Sequence, residues 1–236
     1  MIYSSCFASL PESHVQNWKR RNEQMTNLSP EKALIFRITH VANVPWILQN
    51  GLHCSNSDHS DPNYVQIGNA DLIARRRTRD VPVNPNGTLS DYIPFYFTPF
   101  SPMLYNIKTG YSGVTKRPME EIAILVSSLR EVHKQEIPFV FTDRHAYLQA
   151  AEFYNDLNRL DRIDWPRIQA RDFRRDPEDP GKVERYQAEG LIYRHLPLAA
   201  LLGIICSRDE ERTKIEDECG RLGLVKEVLC RPGWYL

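Results

Sequence analysis

Ala33-Leu-Ile-Phe-Arg-Ile38 runs through Thr39-His40 into Val41-Ala-Asn43-Val-Pro-Trp-Ile47-Leu48-Gln-Asn-Gly51, and this stretch decides the fold. Its first six residues are a short apolar run of the kind that forms a buried strand. Asn43 then offers an N-cap, Val44, Ile47 and Leu48 fall at helical spacing on one face, and Gly51 supplies the stop. A strand therefore hands over to a short helix at Thr39 and His40. Strand ends of this kind present side chains to clefts.

Outward from that junction the pattern is mixed. Residues 53–64 are a polar loop, and Asn69 to Val81 carries Arg75, Arg76, Arg77 and Arg79. Ile93 to Tyr105 reads as an aromatic strand entering a proline-punctuated helix, and Ile122–Ser127 and Phe139–Phe141 read as further strands. Leu148, Ala151, Tyr154 and Leu157 recur every three residues and predict a helix of about three turns, ended by Pro166. The densely charged residues 167–185 predict a mobile loop. Gly190–Tyr193, Leu202–Cys206 and Val225–Leu229 are the remaining strands, and Ser207-Arg-Asp-Glu210 is a capping box opening a helix that turns Ile215, Cys219 and Leu222 inward. Strands separated by short helices and long loops, without regular alternation, predict one α+β domain. That domain spans 33–236. Residues 1–32 form an extension, with Met25 placed just before the first patterned segment.

Thirty basic residues balance thirty acidic ones over 236 positions, which excludes a generic polycation and requires any nucleic-acid site to be a local patch. A chain of this length buries a core without disulfides. The five cysteines, Cys6, Cys54, Cys206, Cys219 and Cys230, are odd in number and widely spaced, which points to a reducing, cytoplasmic setting. No ligand set stands at metal spacing, so no metal is expected. No apolar run approaches the roughly 20 residues of a membrane span, and no secretion signal opens the chain.

Templates for dinucleotide, P-loop, zinc-protease and serine-hydrolase sites are absent. Glu189 stands alone before the strand Gly190–Tyr193, where a solvated or salt-bridged carboxylate is as natural as a catalytic one. The arginine cluster suits either a solvated face or phosphate, whose oxygens guanidinium forks match. Phe95, Tyr96, Phe97, Phe100 and Tyr105 suit a core or a shelf for a planar ring.

Taken together these strings resemble a known family. Thr39-His40-Val-Ala-Asn43-Val-Pro-Trp-Ile47-Leu48-Gln-Asn-Gly51-Leu52 resembles the first motif of poly(ADP-ribose) polymerase-like ADP-ribosyltransferases, and Ile93-Pro-Phe-Tyr96-Phe97-Thr-Pro-Phe-Ser101 looks like their second. Glu189 stands at the place of the third-motif glutamate. Phe-Arg-Ile-Thr-His40, Ala-Arg-Arg-Arg-Thr-Arg79-Asp-Val-Pro, Pro94-Phe-Tyr-Phe-Thr-Pro-Phe-Ser-Pro-Met-Leu, Phe141-Thr-Asp-Arg-His145-Ala-Tyr147, Arg185-Tyr-Gln-Ala-Glu189 and Arg231-Pro-Gly-Trp234 are similar, in order, to the DarT family of DNA ADP-ribosyltransferase toxins, over Leu34 to Leu236.

That resemblance implies a single domain with a split, mainly antiparallel mixed sheet, using NAD⁺ as ADP-ribose donor. It implies that Thr39 and His40 hold the adenosine ribose, and that Asn43, Gly51 and Leu52 bound the NAD⁺ cleft, with the Gly51 backbone facing the nicotinamide amide. Tyr96 or Phe97 would stack on nicotinamide beside Ser101, with Glu189 as catalytic glutamate. Arg79, or adjacent Arg77, would be the catalytic arginine. His145, Ala146 and Tyr147 would face DNA, and Arg75 and Arg76 would touch its phosphates. The implied acceptor is thymine N3 of single-stranded DNA, in a sequence-dependent manner, and the implied partner is the macrodomain antitoxin DarG of a toxin–antitoxin pair. The enzyme itself is expected to be monomeric. Guanine, RNA or protein acceptors, and a non-catalytic nucleic-acid-binding module, are the alternatives.

Overall fold

A computed structural model describes residues 28–235. Ten strands and seven α-helices are described, and eight of the strands form one sheet. The strands of that sheet are β1 (Leu34–His40), β3 (Tyr92–Tyr96), β4 (Ile122–Ser128), β5 (Phe139–Thr142), β6 (Phe153–Tyr154), β7 (Glu189–Tyr193), β9 (Gly203–Cys206) and β10 (Val228–Cys230). Their order is β10-β9-β4-β1-β3-β7-β5-β6, antiparallel throughout except for the β9–β10 pair. A two-stranded ribbon of β2 (Leu52–His53) and β8 (His195–Leu196) lies apart. The α+β class and the mixed, mainly antiparallel sheet are those expected.

The sheet is split. Strand β1 pairs with β4 along its whole length, from Leu34↔Ser128 to His40↔Ile122, but meets β3 at the single position Phe36↔Tyr96. Beyond that rung the two strands diverge, and the Arg37 side chain spans the gap to donate to the Pro94 carbonyl at 2.9 Å. Alternation along the strands separates two apolar clusters. Ile35, Phe95, Phe97, Phe141 and Ile192 belong to the main core, whereas Tyr92, Val140 and Leu191 belong to a smaller cluster with Val81, Leu89, Ala146 and Phe153. Glu189 alternates with Gly190 and Tyr96 with Phe95 and Phe97, so both polar side chains share the side of the smaller cluster.

The helices are α1 (Val44–Asn50), α2 (Ala70–Arg76), α3 (Pro102–Thr109), α4 (Leu129–Lys134), α5 (Trp165–Ala170), α6 (Lys182–Tyr186) and α7 (Asp209–Arg221). Asn43 does precede α1, but its side chain does not cap that helix. It donates instead to Thr39 Oγ1 and the Val65 carbonyl, both at 3.0 Å, and accepts from the Val65 N–H. The junction is thus braced to the loop that follows it.

Several local expectations are corrected. Residues 148–157 form no helix: a strictly three-residue repeat drifts about 60° per step around a 3.6-residue helix, so its four apolar residues end on opposite sides. Instead Tyr154 pairs with Phe141 in the sheet and stacks on its ring, and a 3-10 turn covers Leu157–Arg162. Pro166 lies in the first turn of α5, where its missing N–H costs nothing. The charged stretch after it is laced by ion pairs, Lys182 to Asp172 at 2.7 Å and Arg185 to Asp179 at 2.7 Å and to Asp164 at 3.2 Å. Ser207 is not the cap of α7. Arg208 occupies that place without a side-chain bond, and Asp209, Glu210 and Glu211 favour the helix start through the dipole instead. Within α7, Ile215 and Cys219 are buried and Leu222 packs half-buried against the core. The last strand lies at Val228–Cys230, with Val225 fully exposed. Residues 28–32, assigned by sequence to the extension, belong to the domain: Leu28 sits in the core and its carbonyl accepts from the Gln169 side chain. The rest of the extension, with Met25 and Cys6, lies outside the described residues.

Candidate active site

Glu189 opens β7 directly opposite Tyr96 of β3, at the rung beside which the sheet splits. It is 2% exposed, and a carboxylate so buried needs partners. Arg76 at the end of α2 supplies the first: Nη1 donates to Oε1 at 3.1 Å and Nη2 lies 3.0 Å from Oε2. The Ala146 N–H donates to Oε1 at 2.9 Å, and the Glu189 N–H donates to Thr142 Oγ1, which in turn donates to the Arg144 carbonyl. Burial pushes the carboxyl upward, but Arg76 and these hydrogen bonds outweigh it, so Glu189 titrates below its ordinary value and is an anion at neutral pH.

His145 Nδ1 stands 3.5 Å from Glu189 Oε1, yet it also accepts the Tyr147 N–H at 3.2 Å. An imidazole nitrogen that accepts carries no proton, so the hydrogen of the neutral ring is on Nε2. Burial lowers the His145 pKa, in keeping with that neutral form. The Tyr96 phenol is held protonated, chiefly by burial and then by the Glu189 charge.

At the other end of β1, His40 Nδ1 accepts the Ala42 N–H at 3.1 Å, which directs its Nε2 proton to Glu121 Oε2 at 3.3 Å. Arg117 Nη1 donates to the same oxygen at 3.1 Å. With Phe36 opposite Tyr96, His40 lies four residues, about 13 Å, along β1 from the Tyr96–Glu189 rung. Between these two polar centres β1 pairs with β3 at no position beyond Phe36↔Tyr96.

Known proteins share this fold. Residues 36–236 match the family model described as "ssDNA thymidine ADP-ribosyltransferase, DarT". The chain belongs to the DarT family. A DNA ADP-ribosyl transferase from Escherichia coli O127:H6 is 56% identical over 209 residues, covering 89% of this chain and 96% of that one. A solved structure of Thermus sp. 2.9 DarT in complex with ADP-ribosylated ssDNA superposes with a TM-score of 0.81 at 36% identity, over 90% of this chain and all of that one. The same Thermus protein in complex with NAD⁺ gives a TM-score of 0.76 at 35% identity, over 86% and 98% of the two chains.

Against the positions that the DarT resemblance implies, the structure sorts the residues. Arg79 is not the arginine at Glu189. Helix α2 ends at Arg76, and the chain beyond it carries Arg79 to the Leu148 carbonyl at 3.0 Å and Gln149 Oε1 at 3.3 Å. Arg76, expected on DNA phosphate, is 12% exposed and committed to the carboxylate. Arg75 and Arg77 remain exposed on the surface of α2 and just past it. Ala146 is wholly buried and offers Glu189 its N–H rather than a surface to DNA, while its neighbours His145 and Tyr147 are half-buried. Phe97 lies edge-on to Phe141 and Trp165 in the core, which leaves Tyr96 as the ring on the Glu189 side. Ser101 is buried and caps α3 by accepting the Leu104 N–H. Thr39 is buried beneath Asn43, and Leu52 is a core residue of β2. Gly51 has φ +75°, its N–H is bonded to the Ile47 carbonyl, and a Cβ there would lie 2.5 Å from the Leu196 carbonyl oxygen. Only its carbonyl is left to face a ligand.

Thr142, Glu121 and Arg37 have places in this arrangement that sequence reasoning missed. The one available signal was the polar Thr142 ending an otherwise apolar strand. Among the described residues, no group of three or more His, Cys, Asp or Glu is placed to hold a metal, and no helix is long and apolar enough to cross a membrane.

Proposed function

We propose that this protein transfers ADP-ribose from NAD⁺ to N3 of thymine in single-stranded DNA. The observation that carries the reading is the buried, arginine-paired Glu189 opposite Tyr96 at the mouth of the split sheet. His40 would hold the adenosine ribose and Tyr96 would stack on nicotinamide. The pentose between them would come to rest against Glu189.

Cleavage of the glycosidic bond sends its electron pair to nicotinamide, which leaves neutral, and C1′ becomes cationic. Glu189 orients the ribose 2′-hydroxyl and stabilises that cation as a fixed charge in a dry site. Thymine N3 then bonds to C1′ and gives up its proton. A carboxylate held below its usual pKa is a weak base, but N3 becomes strongly acidic as the new bond forms, so Glu189 takes the proton late, directly or through a relay. The Nε2–H of His145 is suited to donate to a thymine carbonyl beside N3, and Arg76 to keep Glu189 ionised and aimed. Duplex pairing hides N3, which favours a single strand over a paired substrate. Exposed Arg75 and Arg77, with Tyr147, are suited to hold the flanking strand.

A cytoplasmic, monomeric toxin countered by a macrodomain antitoxin, DarG, is the biological setting that fits this chemistry, because a base adduct is removable by hydrolysis. The test is mass spectrometry of homopolymeric oligonucleotides after incubation with NAD⁺. An ADP-ribose adduct is expected on oligo-dT and not on dA, dC or dG, and none with Glu189→Gln. Wild-type rate in that variant, or an adduct on dG alone, overturns the assignment.

A further inference from the structure

Beyond the reaction itself, the surroundings of His40 determine which dinucleotide can serve as donor. We infer that Glu121 makes the donor site selective for NAD⁺ over NADP⁺, by guarding a basic pocket that would otherwise accept a 2′-phosphate. This rests on the reading above that His40 holds the adenosine ribose.

Glu121 ends a 3-10 turn, Met119–Glu121, packed beside the turn Val41–Asn43 that follows His40. Its Oε2 accepts from His40 Nε2 at 3.3 Å and from Arg117 Nη1 at 3.1 Å, leaving Oε1 for a ribose hydroxyl. Arg117 also lines an open pocket of about 570 Å³ with Lys108, Lys116, Pro118 and Met119. Among the described residues its lining holds three cations and no carboxylate, and one of them, Lys108, also donates to the Tyr235 carbonyl at 3.3 Å. The carboxylate thus stands between the imidazole and a cationic pocket.

A ribose 2′-hydroxyl can donate to a carboxylate, whereas a 2′-phosphate cannot donate and is repelled by it. Acidic residues discriminate between the two dinucleotides elsewhere on this principle. Here the carboxylate acts twice. It opposes the phosphate directly, and it occupies Arg117, whose guanidinium would otherwise match phosphate oxygens. Selectivity built from a repulsive element is lost when that element is removed. Glu121 is 39% exposed on its side chain, so solvent screens the repulsion and the effect is moderate.

The experiment compares kcat/KM for NAD⁺ and NADP⁺ with an oligo-dT acceptor in wild type, Glu121→Gln and Glu121→Gln/Arg117→Ala. Glu121→Gln is expected to raise the NADP⁺/NAD⁺ ratio by about tenfold, mostly through KM, and the second substitution to cancel most of that gain. A parallel titration of ADP-ribose and 2′-phospho-ADP-ribose reads the same preference without turnover, and thermal melting establishes that each variant is folded. An unchanged ratio in folded Glu121→Gln, by turnover or by binding, overturns the inference. Absence of any adduct from NAD⁺ with wild type would count against the reaction proposed above, while the titration still decides the role of Glu121.

Discussion

Replacing Arg76 by alanine removes the only cationic side chain in contact with Glu189 among the described residues. The carboxylate is 2% exposed and would keep one charge-neutral donor, the Ala146 N–H, beside a neutral imidazole. Breaking a buried ion pair costs about 3–5 kcal/mol, and the lower end applies here because α2 buries none of its residues and admits water when Arg76 is gone. Without the guanidinium, burial is no longer outweighed and the Glu189 pKa rises above its wild-type position. The transfer rate of wild type should therefore hold steady well into the acid range. That of Arg76→Ala should fall away at a higher pH than wild type as the solution is acidified, because its carboxylate protonates sooner. The melting temperature should fall by roughly 6–12 °C for a domain of this size. The assay is a pH–rate profile on oligo-dT under saturating NAD⁺, with thermal melting alongside. An Arg76→Ala profile and melting point equal to wild type, with both changed in Arg79→Ala, would refute the reasoning and return Arg79 to the carboxylate.

Arg79→Ala itself should act through the loop it clasps. Loss of its bonds to Leu148 and Gln149 is expected to weaken binding of oligo-dT more than binding of NAD⁺, measured by separate titrations. Thr142→Val leaves the Glu189 N–H and the Arg144 carbonyl without their shared hydroxyl and should cost about 2–3 kcal/mol in urea unfolding. Gly51→Ala forces a Cβ to 2.5 Å from a backbone oxygen at φ +75°, so a loss of about 2 kcal/mol or more and a raised KM for NAD⁺ are expected. Burial, reinforced by His195 and His59, holds the His53 pKa below 6.5. A depressed histidine gives stability that is present above its unfolded value and lost as pH falls through its folded one. The melting point should thus decline below about pH 6.5, less steeply in His53→Asn. The depressed Glu189 adds a second decline below its unfolded value of 4.5.

Sequence patterning located the strand–helix junction at His40, the aromatic strand and Glu189 because each rests on local apolar runs and punctuation. What it could not place was long-range. Which of four neighbouring arginines reaches Glu189 depends on where α2 ends, 113 positions away along the chain from the carboxylate. Ala146 counted as a substrate-facing residue because a backbone N–H has no sequence signature. Phe97 and Tyr96 were interchangeable until strand alternation put them on opposite sides of the sheet. The Leu148–Leu157 repeat misleads for a different reason: its period suits a helix in spacing but not in phase.

The single rung Phe36↔Tyr96 makes the parting of β1 from β3 an omission from a hydrogen-bonded ladder. Past that rung the Pro94 carbonyl is met by the Arg37 side chain instead of a facing amide, so the seam between the two halves of the sheet is closed by a residue that a single substitution removes.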